Sequence, residues 1–372
     1  MEALSVDIGS RPTGSEAEQE AAGYIRGQLA SYGYEAELQP FTFDVFSDAG
    51  TAMRVLSPQA REVQAYPLEP SANGTVEGSL VAAGLGRPPD FPAGTKGKIA
   101  LIKRGEITFS EKVANAAAAG AKAAVIYNNQ SGLFAGQLGG PSAIPGAGIS
   151  REDGEALLDL LNGGAVTVRL EVKTRSGPTE SQNVVARPPG GECRVIVGGH
   201  YDSVPAGPGA NDNGSGTSTS IEIARVLASD GELDDVCFVL FGAEEVGLIG
   251  SAHFAESLTP DETQQVEGML NFDMVSVGTD WLIAGSQEMV NVATQEADRL
   301  KIVYDVSDAA PAGLGSDHSS FIEQGIPAVF FYRQGDPHYH TAQDTAEFVQ
   351  ADRMEEIGRL GLAVIDELLS GR

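Results

Sequence analysis

Residues 195–216 read VIVGGHYDSVPAGPGANDNGSG. An apolar run stops at His200, Asp202 follows two residues on, and a loop of Gly and Pro leads to Asp212. The run has the continuous apolar character of a strand buried on both faces, as in a parallel sheet covered by helices. A histidine and two carboxylates at its end suit either a metal site or a tight turn. The surrounding chain has to separate these.

Downstream the pattern is regular. NVVARP and CRVIVGG read as strands, and a helix is expected from about Ser215 to Ser229. VCFVLFGA, GMLNFDMV and PAVFFYR read as further strands, with helices around Val290 to Leu300 and Asp352 to Leu369. Apolar strands alternating with amphipathic helices predict an α/β domain with a largely parallel sheet. Upstream, Thr13 or Ser15 can cap a helix whose Ala22, Ile25 and Leu29 recur at helical spacing, and YEAELQPFTF follows as a strand. Between them the texture changes to short β-like pieces rich in Gly and Pro, with one Ala-rich helix ending at Gly120. That middle region holds no His or Cys. The expected organisation is a catalytic α/β domain split into 1–44 and 178–372, with a second domain inserted at 45–177.

Composition narrows the function. Of 372 residues, 52 are acidic and 24 basic, for a formal net charge of −28. Such a surface repels phosphate, so neither nucleic acid nor an anionic membrane is an expected partner. No apolar run approaches the roughly 20 residues that span a bilayer. The first residues lack the basic and apolar regions of a secretory signal. A secreted or extracytoplasmic protein is nonetheless expected, with its export signal outside this sequence. Cys193 and Cys237 both lie in strand-like runs, and the favoured reading is two buried thiols. A bridge between them would instead indicate an oxidising compartment.

In an open α/β sheet, ligands bind beyond the carboxyl ends of the strands. His200 and Asp202 end one strand, AEE at 243–245 ends VCFVLFG, Asp273 ends MLNF, and HYHTAQDT, from His338, follows AVFFYRQGDP. Asp212 arrives on an adjacent loop. Mixed imidazole and carboxylate donors suit zinc better than magnesium or calcium. Two imidazoles and three carboxylates exceed what one tetrahedral ion needs, and such a set would serve two ions about 3.5–4 Å apart with one bridging carboxylate. So many ionisable groups in one cleft without a cation would be costly. NDNGSG is not read as a phosphate loop, because no Lys follows it in the P-loop manner.

GGHYDS, GANDNGSG, FGAEEVGLIGS, NFDM, GLGSDHSSF and HYHTAQDT, in this order, resemble the M28 family of co-catalytic zinc aminopeptidases. The likeness covers the N-terminal helix and essentially everything after about residue 180. GKIALIKRGEITFSEKVANAAAAGAKAAVIYNN resembles the protease-associated (PA) domain that several members carry as an insertion. The resemblance implies a three-layer α/β/α zinc-peptidase fold with a mostly parallel, mixed sheet, plus a smaller β-rich PA-type domain. It implies two Zn2+ ions per chain, one held by His200 and Asp273 and one by Glu245 and His340, with Asp212 between them. It further implies Glu244 as general base, Asp202 as the carboxylate orienting the His200 ring, and Tyr339 as an oxyanion stabiliser.

The implied reaction is removal of an N-terminal, apolar residue such as leucine from peptides with a free amino terminus, by a chain favoured to be monomeric. Alternatives are an M28-like carboxypeptidase, for which Arg333 is the available cation, a glutaminyl cyclase, or a PA-domain binding protein with a non-catalytic metal fold. His318 is divided between lining the cavity and packing. His338 is read as a rim residue and His253 as structural. The inserted domain is read as a lid or rim that screens substrates, or else as an interaction module.

Overall fold

The computed structural model describes residues 1–134, 136–231, 235–307 and 315–370. They form two compact units, Met1–Phe43 with Thr179–Arg372, and Asp44–Pro178.

The first unit is built on a mixed eight-stranded sheet. Its strands are β1 (Glu35–Asp48), β2 (Thr174–Arg187), β3 (Val195–His200), β4 (Val236–Phe241), β5 (Gly268–Phe272), β6 (Asp280–Gly285), β7 (Tyr304–Ser307) and β8 (Ala328–Gln334). Their spatial order is β1-β2-β4-β3-β5-β8-β6-β7. The four central strands β4, β3, β5 and β8 run parallel, in a register that places His200 beside Phe241 and Phe272 beside Phe331. β2 joins β4 and β6 joins β8 antiparallel, so only the buried middle is parallel. The chain leaves β3 for β4 on one side and returns to β5 on the other. This reversal opens a crevice beyond the carboxyl end of β3, where His200 sits.

Helices cover both faces. α1 (Glu16–Ser31), α2 (Gly216–Asp230), α5 (Gln287–Leu300) and α7 (Ala351–Ser370) enclose the larger core with Val197, Phe238, Leu270, Phe272 and Phe331. α3 (Ile249–Ser257) and α6 (His318–Glu323) cover the opposite face around Ile196, Val239, Phe241 and Met269, and α4 (Pro260–Gln265) follows α3. Ser15, not Thr13, caps α1 by accepting from the Glu18 amide at 3.1 Å. Gly199 and Gly216 both pack against the carbonyl oxygen of Phe272 so closely that a Cβ at either would collide with it. These two glycines let the α2 terminus and the β3 end close onto the end of β5, drawing the segments around the crevice together.

Cys193 and Cys237 are joined in a disulfide, with Cα atoms 5.2 Å apart, which corrects the expectation of two free thiols. The parallel pairing of Val195 with Val236 sets the starts of β3 and β4 side by side, and this brings the two cysteines within bridging distance.

The second unit has a nine-stranded sheet, in which Gly74–Ala82, Ile99–Lys103, Ala123–Tyr127 and Gly146–Ile149 run parallel. Helices Phe109–Ala118 and Arg151–Gly163 lie with two separate apolar cores, one around Leu101 and Val125, the other around Ile102 and Ile126. A reciprocal cap between Thr108 and Glu111 starts the first of these helices.

Candidate active site

The parallel strand ends deliver His200, Asp202, Glu244, Glu245 and Asp273 to one crevice, and the loops carrying Asp212 and His340 complete it. His200 Nε2 lies 3.2 Å from Asp212 Oδ1 and 3.4 Å from Asp273 Oδ1, with Glu244 Oε2 at 4.0 Å. His340 Nε2 lies 3.1 Å from both Asp212 Oδ2 and Glu245 Oε2. The two oxygens of Asp212 thus face two different imidazoles. His200, Glu244 and Asp273 form one group whose potential ligand atoms lie within 4.8 Å of one another, and His200, Asp212 and Glu245 form another.

Backbone turns aim these groups. Ala243 takes a left-handed conformation, φ 59°, immediately before Glu244 and Glu245. His340 is also left-handed, φ 56°, and its ring stacks on Tyr339 with centroids 3.8 Å apart. Asp202 is fully buried, and its carboxylate accepts from the amides of Glu244 at 3.1 Å and Glu245 at 3.3 Å. His200 Nδ1 sits 3.1 Å from the Asp202 carbonyl oxygen and 3.5 Å from its carboxylate. Asp202 therefore holds both the imidazole and the Glu244–Glu245 turn. Ser316 donates to Asp273 Oδ2 at 2.7 Å, while Oδ1, buried and facing His200, has no hydrogen-bond partner.

The electrostatics follow from this crowding. Burial alone would lower the His200 pKa, but Glu244 and Asp273, with Asp202 and Asp212, hold it well above the ordinary imidazole value. Burial opposes protonation of His340 too, yet its bonds to Asp212 and Glu245 hold it at about 10. Burial would raise Asp212, but both imidazoles pull it below the usual carboxylate range. Burial, with Asp212 adding, pushes Glu245 up to about 7. Burial also carries Glu244 well above the ordinary carboxyl range, His200 opposing and Asp317, Asp273 and Glu245 adding. A site that so strongly favours positive charge, with a buried carboxylate oxygen lacking a donor, fits a divalent cation, and its nitrogen and oxygen donors fit zinc.

Met274, Phe330 and Tyr332 line the cavity beside these residues, as does Tyr339, whose phenol is raised by burial and the surrounding carboxylates and so stays protonated. His318 lies outside that lining; it is buried and stacks on Phe330 with centroids 4.7 Å apart. His338 stacks on Phe348, and His253 packs against Phe41. Arg333 is also outside the lining. Alternation along β8 turns Phe330 and Tyr332 toward the cavity and Arg333 to the other face, over the Trp281 ring.

Several residues that support the site escaped sequence reading. The Arg11 guanidinium, buried completely, donates to the carbonyl oxygens of Leu4, Gly9, Tyr201, Pro208 and Gly209. Thr13 donates to Asp202 Oδ2 at 2.8 Å. Asp317 is buried near Glu244, and burial pushes its carboxyl up to about 7. For Arg11 and Thr13 the signal available was the polar run GSRPTGS ahead of α1, which helix capping alone does not use up.

Residues 183–365 match the pattern of peptidase family M28, and residues 76–157 match that of the PA domain. Aminopeptidase YwaD of Bacillus subtilis (strain 168) is 37% identical, with the match covering 98% of this chain and 82% of its own length. The chain belongs to peptidase family M28. This M28 chain is also 34% identical to a probable leucine aminopeptidase 2 of Aspergillus fumigatus, over 86% of this chain and 67% of the relative. Among solved structures, BSAP, a zinc aminopeptidase from Bacillus subtilis, superposes with a TM-score of 0.80 at 33% identity, covering 98% of this chain and 92% of that one. An aminopeptidase from Aneurinibacillus sp. strain AM-1 gives 0.81 at 34% identity, covering 96% and 90%.

Proposed function

We propose that this M28 chain is a zinc-dependent aminopeptidase that removes an apolar N-terminal residue, such as leucine, from peptides with a free amino terminus. The observation that carries this reading is the placement of the two Asp212 oxygens against separate imidazoles, with Glu244 beside them on the cavity wall. His200 and Asp273 would hold one zinc ion, Glu245 and His340 a second, and Asp212 would be shared. Bound there, the ions supply Lewis acidity that polarises a peptide carbonyl and lowers the pKa of a water.

The chain's own groups do the rest. Glu244, a carboxyl with an elevated proton affinity, takes the proton of the attacking water and returns it to the departing amine. The neutral Tyr339 hydroxyl donates to the oxyanion that forms at the carbonyl. Met274, Phe330 and Tyr332 on the cavity wall favour an apolar side chain. The disulfide fits an oxidising, extracytoplasmic location, and no helix among the described residues is long and apolar enough to cross a membrane. A monomer acting on peptides, without nucleic-acid or membrane partners, belongs to the same proposal. Arg333, turned away from the cavity, gives the carboxypeptidase alternative no anchor for a substrate carboxylate.

The test is release of the N-terminal residue from peptides with free or acetylated termini, before and after chelation and zinc restoration. Cleavage of free-amino peptides only, lost on chelation and regained with zinc, is expected, with leucine ahead of charged residues. Cleavage of acetylated peptides at comparable rates would overturn the exopeptidase reading.

A further inference from the structure

We infer that Asp344, together with Asn211 and Asn213, forms a clamp that fixes Asp212 between the two histidines before any ion binds, making these three positioning residues for the metal site. This deepens the zinc reading and rests on it. Asp212 lies on the loop leading into α2, outside every strand ladder, so its backbone has to be held by other means. Asp344 is 4% exposed; its Oδ1 accepts from the Asn211 amide at 2.7 Å and its Oδ2 from the Asp212 amide at 3.0 Å. It stands four residues beyond His340, in a loop closed by the Thr341 hydroxyl donating to the His338 carbonyl at 2.7 Å. One carboxylate therefore ties the Asp212 segment to the His340 segment.

The asparagines on either side of Asp212 tie it to the Asp273 segment. Asn213 donates to the Phe272 carbonyl at 2.8 Å and accepts from the amides of Gly216 at 2.8 Å and Met274 at 3.3 Å. Asn211 accepts from the amides of Ser276 and Val277, each at 3.0 Å, and donates to Asp336 Oδ2 at 2.8 Å. Both asparagines are completely buried. Three loops carrying Asp212, Asp273 and His340 are thus locked to one another through side chains that ligate nothing. A carboxylate suits position 344 because both its oxygens accept; an amide would turn an NH2 donor toward one of the two backbone donors.

The test compares wild type with Asp344→Asn by titrating metal-free protein with Co2+, following its visible absorption, and with Zn2+ by equilibrium dialysis. Outer partners of metal ligands typically contribute 10–100-fold in affinity. The expected result is a loss of that order for the ion sharing Asp212 and His340, with an altered Co2+ spectrum, in a metal-free variant that still unfolds cooperatively, a few degrees below wild type. Unchanged affinity and spectrum in Asp344→Asn, with wild type binding two ions, would overturn the clamp and leave the zinc reading standing. A wild-type protein that binds no ion would overturn both. Should Asp344→Asn fail to fold, amide hydrogen exchange of metal-free wild type decides. Slow exchange at Asn211 and Asp212 supports the clamp, and exchange at the rate of an unstructured chain overturns it.

Discussion

At Glu244 the surroundings set the chemistry. The carboxyl is raised by burial and held near His200, so it is poised to take up a proton, yet it is also close enough to His200 and Asp273 to belong to a ligand group. Glu244→Gln separates these roles. As a general base, its loss should lower kcat by roughly 100- to 10,000-fold with zinc content and KM little changed. A variant that comes out of dialysis short of zinc would mark Glu244 as a ligand instead. His200, the Glu244–Glu245 pair and Asp273 were legible because each follows an apolar strand, where a charged residue is conspicuous. Asp344, Asn211 and Asn213 were not, because each holds the backbone of a segment distant in sequence, and nothing next to them records that contact. Arg333 had the right charge and lay in a strand motif, but period-two alternation puts it on the wrong face.

At the scale of elements, α1 carries more than its apolar stripe. Glu18 faces inward beside Ala21, Ala22 and Ile25; its Oε1 accepts from Ser181 at 2.6 Å and its Oε2 from the Gly14 amide at 2.6 Å. Burial, with Asp202 adding, pushes its carboxyl up to about 7 from an ordinary value of 4.5. The folded protein therefore binds the proton more tightly than the unfolded chain. Glu18 contributes its full stability below about pH 4.5, and that contribution is lost as pH rises toward 7, then stays constant. Raising a pKa by one corresponds to about 1.4 kcal/mol, so the loss is on the order of 3 kcal/mol. Urea unfolding of wild type and Glu18→Gln at a series of pH values should give a stability difference that drifts by this amount between pH 4.5 and 7. A difference independent of pH would mean that Glu18 is not held in the protonated form. The helix itself was legible from its spacing. Its cap was ambiguous between Thr13 and Ser15, and the structure resolves this by giving Ser15 to the Glu18 amide and Thr13 to Asp202.

At the scale of the whole molecule, alternating strand and helix patterns conveyed an α/β sheet, but not the order of its strands. That order depends on which apolar surfaces meet after collapse, and it alone reveals the Cys193–Cys237 bridge and the antiparallel flanks at β2 and β6. Net charge is the other global property. With 52 acidic and 24 basic side chains, most carboxylates have no cation to pair with, and the folded state confines an excess of 28 negative charges. Self-repulsion of this kind weakens the compact state relative to the expanded chain, and salt screens it over a Debye length of about 10 Å at 0.1 M and 3 Å at 1 M. Salt also weakens surface ion pairs such as Arg225–Glu222 and Arg359–Glu355, but exposed pairs contribute roughly 0–1 kcal/mol each and the basic residues are too few for them to dominate. The melting temperature should therefore rise by several degrees between 10 mM and 1 M sodium chloride at pH 7, where 1 kcal/mol corresponds to about 2–4 °C for domains of 150–250 residues. Sodium chloride is the salt to use, because sulfate would strengthen apolar burial by itself. The rise should be steepest below about 0.2 M, where screening changes fastest. A melting temperature that falls with salt would mean that specific ion pairs outweigh the repulsion of the carboxylate excess.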